Sequence, residues 1–316
     1  TIGAASTLNA SDADIYLTDV GGLGKCIFCD GIFKPGTSTV HYANCTINDT
    51  VAAVNYYNLD LRTACTRPNR TFENKGTAIG IAGSFIPGDA VCNVTNSTVE
   101  FNGEGLQECP EFTFYNLTIN SAAVSNNASN IDPANAVKLT GDVTVRNKLT
   151  FTHGILNTDV NEVIVSNSSA NAVGPGYYKS FKDASFLVGQ LTRRLPANLD
   201  GSDISTSYVY PVGNDVGYNP LTLSSITTVS GTPMVTVSSV HGSVNPSDYT
   251  SPLTSVNDDI YWIVDGNTAY KKASVSLGES NGLSGGNCVA FSPTVNGEFR
   301  SLHGTIGSKL IERSDI

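Results

Sequence analysis

Charged side chains, methionine and tryptophan are scarce in this sequence. Only 15% of the 316 residues are charged, against about 25% in a typical soluble domain, and there is one Met and one Trp. The Leu-, Glu- and Lys-rich stretches that favour helices are also rare, whereas Val, Ile, Thr and Tyr are plentiful. This composition argues against a helical protein and is typical of a β-rich extracellular one.

The chain also lacks a basic surplus and long apolar runs. The net charge of −10 argues against nucleic acid as a partner, because binding nucleic acid needs a basic face, and against an anionic membrane surface. No apolar run approaches the ~18 residues of a membrane helix, so we expect no membrane insertion. We interpret Thr1 as the processed N-terminus of a secreted or cell-surface protein.

Six of the seven cysteines lie before residue 110. Cys26 and Cys29 form a C-x-x-C, but the second close pair of a zinc site and the βαβ context of a redox motif are both missing. We therefore favour structural disulfides in an oxidising compartment over metal ligands, and expect Cys288 to remain a buried free thiol. The pairing stays open among six candidates: Cys26, Cys29, Cys45, Cys65, Cys92 and Cys109.

Two segments about 60 residues apart repeat the same landmarks in the same order. Ser38-Thr39-Val40 is followed by a loop and Tyr57-Asn58-Leu59, and Ser97-Thr98-Val99 by a loop and Tyr115-Asn116-Leu117. Apolar and polar residues alternate within these runs, as in strands with one buried face. Internal repetition at a fixed period indicates a solenoid. We predict a right-handed parallel β-helix over residues 25–180, with an antiparallel sandwich as the alternative.

The pattern changes after residue 180. Eight longer strand candidates follow the Gly/Pro/aromatic joint GPGYYKSF, separated by turn residues, which predicts a β-sandwich over residues 181–316 with a C-terminal strand tail. The predicted fold class is therefore all-β, with a parallel β-helix (β-solenoid) N-terminal domain followed by a β-sandwich domain. Residues 1–24 are predicted to be an extended N-terminal arm.

Several phrases of the sequence resemble a known group of proteins. The run from STV through FYNLTI to VTVRNKLTFTHGILNT is similar to the β-helical region of large secreted surface proteins of Bacteroidota. Pro211-Val212-Gly213 matches an F-P-V-G turn and Tyr218-Asn219-Pro220 a Y-x-P strand that follow the β-helix in that group. Val188-Gly189-Gln190-Leu191 departs from the group's G-P-L-x-R strand. The resemblance implies the architecture and an adhesin-like or unknown role.

Motifs of enzymes and metal sites are weak. GLSGG at residues 282–286 matches the G-x-S-x-G pattern of a nucleophile elbow, but that motif needs a strand–turn–helix. Here it lies between two β runs in a glycine-rich turn. The acidic stretches around Asp200 and Asp259 do not have calcium-loop spacing. We expect no catalytic residue, no metal and no cofactor. A β-helix polysaccharide lyase or hydrolase remains an alternative, and its acid, base or cation-binding residues would be Asp142, Arg146, Lys148 and Asp159.

Nine N-x-[ST] sequons all fall in the first 170 residues, and we predict that some of them carry sugar. Asp49-Thr50-Val51 also matches the O-glycan site of the Bacteroidota group, with Thr50 as the acceptor. The asparagines of the sequons are Asn9, Asn44, Asn48, Asn69, Asn93, Asn96, Asn116, Asn127 and Asn167.

The open ends of a β-solenoid present unpaired strand edges, which natural proteins cap or use for pairing. The apolar positions Ile2, Leu8, Ile15 and Leu17 of the predicted arm are candidates for adding a strand to the next subunit. We therefore predict a non-enzymatic extracellular structural protein, a subunit of a surface filament or adhesive fibre assembled head to tail from copies of itself.

An alternative is a monomeric adhesin or carbohydrate-binding module of a surface protein. Its partners would be carbohydrate or host and neighbour surfaces. An exposed aromatic strip formed by Tyr177, Tyr178 and Phe181 would favour this alternative, although a packed joint between domains is the reading we prefer for these residues.

Overall fold

A computed structural model of the chain consists of β-strands joined by turns. It describes residues 2, 5–18, 31–43, 49–63, 68–122, 131–132, 136–256, 259–278, 288–302, 305–307 and 310–313, the last two ranges by their backbone alone. These ranges contain no α-helix, and a 3-10 helix spans Ala170–Ala172. The prediction of an all-β chain is confirmed.

The first sixteen strands are β1 (Thr7–Asn9), β2 (Asp14–Leu17), β3 (Ile32–Lys34), β4 (Thr39–Tyr42), β5 (Asp49–Val51), β6 (Asn55–Tyr56), β7 (Asn58–Asp60), β8 (Asn69–Phe72), β9 (Ile79–Ile81), β10 (Phe85–Ile86), β11 (Val91–Asn93), β12 (Thr98–Phe101), β13 (Gln107–Cys109), β14 (Phe112–Asn120), β15 (Val137–Leu139) and β16 (Val143–Val165). The remaining strands are β17 (Tyr177–Ser180), β18 (Asp183–Arg194), β19 (Tyr208–Tyr210), β20 (Val212–Asn214), β21 (Gly217–Tyr218), β22 (Leu221–Thr228), β23 (Met234–His241), β24 (Asp248–Tyr249), β25 (Ile260–Gly266), β26 (Tyr270–Gly278), β27 (Ala290–Phe291), β28 (Glu298–Ser301), β29 (Thr305–Gly307) and β30 (Leu310–Arg313).

Strands β1 to β16 pair with one another in parallel. One sheet has the order β10-β7-β4-β2, a second the order β11-β8-β5, and a third runs from β6 through β9, β12 and β14 to β16 and β18. In the third sheet Val99 lies opposite Leu117, and Leu117 lies opposite Leu149. A parallel partner cannot be reached by a tight turn, so the chain must make a longer excursion before it returns beside the previous strand. Here each return takes about 20 to 30 residues.

The inward side chains of these strands form one apolar core. Val40, Leu59, Leu117 and Leu149 are fully buried in it. Each such side chain contributes about 1.5–3 kcal/mol relative to its exposed state. Aromatic rings stack along the interior with centroids 4.8 to 6.3 Å apart, within the range of favourable ring pairs: Phe72, Phe85, Phe101, Phe112 and Phe114.

The repeated phrases of the sequence occupy equivalent places. Thr39 pairs with Asn58, and Thr98 pairs with Asn116. In each pair the asparagine Nδ2 donates to the threonine Oγ1 at 3.2 Å. The asparagine backbone N–H donates to the carbonyl of the serine that precedes the threonine, at 3.0 and 3.1 Å. The repeat therefore encodes the register of two pairs of neighbouring strands.

Antiparallel pairing begins after residue 176. β18 continues the parallel sheet beside β16 and also pairs antiparallel with β23, which in turn pairs with β25. Separate sheets have the orders β19-β22-β26-β30-β29 and β24-β28-β27. One sheet thus extends across the predicted domain boundary at residue 180, and the boundary itself stays a prediction.

A buried cation fixes the region where the two pairing patterns meet. Arg193 is fully buried, and its guanidinium donates to the carbonyls of Val209 at 2.6 Å, Ala170 at 2.9 Å and Ser169 at 3.1 Å. Burial lowers the pKa of this guanidinium. A buried charge needs hydrogen bonds, and these three, made by the two terminal nitrogens, tie the 3-10 helix and its N-cap to β18 and β19. The Nε of Arg193 has no partner among the described residues.

Candidate functional site

The predicted N-terminal arm is paired with the chain's own strands. β1 lies parallel to β3, and β2 lies parallel to β4. Ile15 and Leu17 pack against the main core, Ile2 is 8% exposed, and Leu8 is 41% exposed. Residues 5–18 therefore do not project as a free arm in this structure. The physical reason is that alternating apolar residues of β2 bury themselves against the adjacent apolar edge of the same chain.

β2 is an edge strand whose second side pairs with no other strand in the described part of the chain. Tyr16 is 60% exposed and stacks on His41, with the ring centroids 4.4 Å apart. His41 Nδ1 lies 3.0 Å from the Asp60 carboxylate, and His41 Nε2 lies 3.5 Å from the Asp14 carboxylate. This polar column joins β2, β4 and β7 beside the open edge.

Asp60 is the charged centre of that column. Its burial opposes ionisation, but hydrogen bonds from Arg62 and His41 outweigh the burial, so its pKa lies below the ordinary value. The Arg62 guanidinium contacts both carboxylate oxygens at 2.9 and 3.0 Å. Asp60 therefore stays ionised at neutral pH and helps to hold the outer strand in place.

β25 is a second edge strand, and it carries exposed apolar side chains. Among the described strands it pairs with β23 alone. Ile263 is 44% exposed and Val264 is 40% exposed, while the Trp262 Nε1–H donates to the Asn219 carbonyl at 2.8 Å. Of the seven residues of β25, the last four are exposed, namely Ile263, Val264, Asp265 and Gly266. Exposed apolar side chains on an edge strand make it a template for pairing with another chain.

An amide ladder crosses three segments of the outer surface. Asn147 Nδ2 donates to Asn116 Oδ1 at 2.7 Å, and Asn167 Nδ2 donates to Asn147 Oδ1 at 3.2 Å and to its backbone carbonyl at 3.1 Å. Asn116 Nδ2 in turn donates to Thr98 Oγ1 and to the Ser97 carbonyl, both at 3.2 Å. The sequon asparagines Asn116 and Asn167 are therefore structural hydrogen-bonding groups in this fold.

Four other sequon asparagines have exposed side chains. Thr50, the predicted O-glycan acceptor, is half-buried on β5. Asn44, Asn48 and Asn127 lie outside the described residues. The exposed asparagines are Asn9, Asn69, Asn93 and Asn96.

Cys92 and Cys109 carry free thiols in this structure, so their predicted part in disulfides is not supported. Cys109 is fully buried among apolar side chains of the core, and burial raises its pKa strongly. Burial also raises the pKa of Cys92, to about 12. Cys288 is a half-buried free thiol. The other four candidates, Cys26, Cys29, Cys45 and Cys65, lie outside the described residues.

Three of the candidate enzyme residues lie within β16, and Asp142 directly precedes that strand. Asp159 pairs with Lys138 at 3.0 Å, and Asp142 Oδ1 accepts from the Glu162 backbone N–H at 3.1 Å. Arg146 and Lys148 are exposed on the same strand. The structure does not gather these charges into one cluster. Within the described ranges no group of three His, Cys, Asp or Glu residues could hold a metal ion. GLSGG at 282–286 lies outside those ranges.

The acidic segment around residue 200 forms turns. Asp200 Oδ1 accepts from the Ser202 backbone N–H at 2.9 Å, and Asp203 Oδ1 accepts from the Ser205 backbone N–H at 2.9 Å. Both aspartates line a cavity of about 40 Å³ that also contacts Tyr208. A space of this size holds one or two water molecules, which is too little for a sugar. Asp259 and Asp265 lie at the start and near the end of β25.

The aromatic residues of the joint are half-buried. Tyr178 and Phe181 pack edge to face at 5.6 Å against a small apolar cluster that contains Phe186. The Tyr177 hydroxyl donates to Asp183 Oδ1 at 2.7 Å. These contacts engage Tyr177, Tyr178 and Phe181 in local packing, and their role as a joint between domains stays a prediction.

The edge at β25, the amide ladder and the polar column around His41 were not found by sequence reasoning. The sequence contained one indication of the amide ladder, because an asparagine follows the tyrosine in both repeated Tyr-Asn-Leu segments. An edge strand has no such indication in the sequence, because its position depends on which strands remain without a partner in three dimensions.

No helix in the described ranges is both long enough and apolar enough to cross a membrane. Comparison with protein-family models, with curated proteins and with solved structures finds no match to this chain. The resemblance to Bacteroidota surface proteins therefore stays an expectation.

Proposed function

We propose that this chain is a non-enzymatic extracellular structural protein whose copies assemble head to tail into a filament or fibre. In this proposal the parallel strands up to β16 form a β-helix, and the mainly antiparallel sheets after β18 form a sandwich. The parallel register of β2, β4 and β7 and the antiparallel register of β18, β23 and β25 support that arrangement.

The observation that carries the proposal is the pair of unlike edge strands. β2 lies at the outside of the first sheet and β25 at the outside of the largest sheet, and each pairs with one strand of the described chain. Because the two edges differ in sequence, their contact would be heterologous. A heterologous contact gives a ring if the rotation closes and an open filament if it does not.

Strand addition can occur in two ways. The free side of β2 can pair with β25 of the next copy, or the β2 segment can leave β4 and pair with the same strand of a neighbour, which preserves every native contact. The first route forms a few backbone hydrogen bonds, each worth about 0.5–1.5 kcal/mol net. Burial of exposed Leu8, Tyr16, Ile263 and Val264 must therefore supply much of the affinity.

Sedimentation velocity over a wide range of protein concentration tests this function. Heterologous assembly predicts a broad series of species whose mean size keeps growing with concentration. A single dimer that saturates would indicate a closed two-fold contact and would contradict the proposal. Monomers at every concentration would also contradict it and would favour a monomeric adhesin or carbohydrate-binding module.

A further inference from the structure

Three neighbouring strands each carry part of a sequon. β5, β8 and β11 form a parallel sheet in which Thr50 lies opposite Thr71 and Thr71 lies opposite Asn93. Each of the three strands overlaps one sequon. They are Asn48-Asp49-Thr50 at β5, Asn69-Arg70-Thr71 at β8 and Asn93-Val94-Thr95 at β11. We call the outer surface of this sheet the sequon face, and it is formed by Thr50, Asn69, Thr71, Val91 and Asn93.

The alternation of the strands separates the sequon face from the core. Asn69 and Thr71 are exposed on β8, while Arg70 and Phe72 of the same strand are buried. Val91 on β11 is 51% exposed. A substituent on Asn69 or Asn93 would therefore extend into solvent without displacing a core side chain.

Among the described residues, no hydrogen-bond partner is found for the acceptor nitrogens on this face. N-glycosylation requires the asparagine Nδ2, and no hydrogen bond within the described structure engages the Nδ2 of Asn69 or Asn93. Asn93 uses only its Oδ1, which accepts from the Thr95 backbone N–H at 3.1 Å. Asn116 and Asn167 differ, because the Nδ2 of each donates to two acceptors in the amide ladder. A sugar on either of these would break at least one such bond and crowd the ladder.

We propose that the chain is N-glycosylated at Asn69 and Asn93 and carries no glycan at Asn116 or Asn167. This inference rests on the extracellular location in the proposed function. The donor is a lipid-diphosphate-linked oligosaccharide of the secretory pathway. Nδ2 forms a bond to the anomeric carbon of the sugar, the bond from that carbon to the diphosphate oxygen breaks, the lipid diphosphate leaves, and the amide loses one proton.

Glycans at Asn69 and Asn93 would also keep the sheet of β5, β8 and β11 facing solvent in an assembly. Bulky sugars about 8 Å apart on adjacent strands, from the ordinary strand spacing and rise, would keep the sequon face in solvent. Contacts between copies would then form elsewhere, as the edges β2 and β25 allow.

The test is to secrete the full chain from a eukaryotic host and to measure site occupancy. Release of the glycans by peptide N-glycosidase in heavy-oxygen water marks each occupied asparagine by mass. We expect roughly tenfold higher occupancy at Asn69 and Asn93 than at Asn116 and Asn167, because modification of the latter two costs hydrogen bonds. Thr71→Ala should abolish the mark at Asn69 and leave Asn93 unchanged, while Thr71→Ser should keep both.

Absence of sugar from Asn69 and Asn93, or equal occupancy at Asn116 and Asn167, would overturn the inference. The sedimentation experiment is independent of this outcome. A monomeric protein with the expected glycan pattern would contradict the proposed assembly and leave the glycan sites standing, whereas a polymer without these glycans would do the reverse.

Discussion

Asn147 lies in a bulge that brings its side chain level with its partner in the ladder. Phe114 pairs with Val145, but Asn116 pairs with Lys148, so β16 has one extra residue over this stretch. A bulge redirects side chains of the longer strand. Here it places Asn147 between Asn116 and Asn167, where its amide both donates and accepts.

Asn147→Ala should lower the free energy of unfolding by about 1–3 kcal/mol, because it removes two side-chain hydrogen bonds and leaves half-buried partners unsatisfied. Asn74→Ala, at an exposed asparagine outside the ladder, should change it by less than about 0.5 kcal/mol. Urea denaturation of the two variants and the wild type measures the difference. Equal effects would show that the ladder adds no stability.

Buried thiols and phenols make the stability sensitive to alkaline pH. Burial raises the pKa of Cys92 to about 12 and that of Cys109 further, and burial together with neighbouring Tyr42 raises the pKa of Tyr56. In the unfolded chain a cysteine loses its proton near pH 8.5. Between about pH 8.5 and 12 the folded state therefore binds more protons than the unfolded state.

The free energy of unfolding should consequently fall as the pH rises above about 8.5, by at most about 1.4 kcal/mol per pH unit for each such thiol. The double variant Cys92→Ala/Cys109→Ala should show a shallower fall between pH 8 and 10. Val94→Ala, at a buried residue that does not titrate, should lower the whole curve without changing its slope. An unchanged slope in the double variant would show that these thiols do not cause the pH dependence.

At the scale of strands and turns, glycine is needed where a turn packs directly against the backbone of an earlier turn. Gly36 has φ +57°, and a Cβ built there would lie 2.0 Å from the Ser11 carbonyl oxygen. Thr37, the next residue, donates its backbone N–H to the same oxygen at 2.6 Å. The turn therefore needs both the left-handed conformation and the missing side chain.

Gly36→Ala should destabilise the protein by more than about 1 kcal/mol, because the backbone must move to relieve the contact. Gly105→Ala is the matched control, since a Cβ there meets no atom within 4 Å. Thermal unfolding should separate the two variants by several degrees. A Gly36 variant as stable as the Gly105 variant would contradict the stacking of this turn.

The edge strand β25 gives a prediction about assembly. Ile263→Lys should suppress growth of the polymer, because a charged edge residue opposes pairing with another strand. Ile204→Lys replaces an isoleucine that is 81% exposed and lies in a loop, and it should leave assembly unchanged. Light scattering during concentration of each variant measures the growth. Equal loss of assembly in both would point to general solubility and not to this edge.

Local pattern explains which elements could be predicted from sequence. Alternation together with the repeated Ser-Thr-Val and Tyr-Asn-Leu segments predicted strands at these places, and the structure pairs Thr39 with Asn58 and Thr98 with Asn116. The position of the predicted arm could not be predicted from local sequence. Ile15 and Leu17 can pack against an apolar strand edge of the same chain or of a neighbouring chain equally well. Cys109 similarly resembles a disulfide cysteine in sequence, but the fold surrounds it with apolar side chains.

At the scale of the whole molecule, assembly depends on which open strand edges pair with another copy. The net charge of −10 keeps separate copies apart at low ionic strength, so we expect added salt to favour assembly. Leu8, Tyr16, Ile263 and Val264 are exposed apolar residues on or beside the edge strands, and Val91 and Val160 are exposed on β11 and β16. The edges β2 and β25 therefore offer apolar side chains next to backbone that can accept a further strand.

Cryo-electron microscopy of the assembled protein is the measurement that decides between contact through these edges and contact elsewhere. We expect filaments with one subunit per axial repeat, in which β25 of one copy lies against β2 of the next. Dispersed single particles, closed dimers, or filaments whose copies touch through the sheet of β5, β8 and β11 would contradict it.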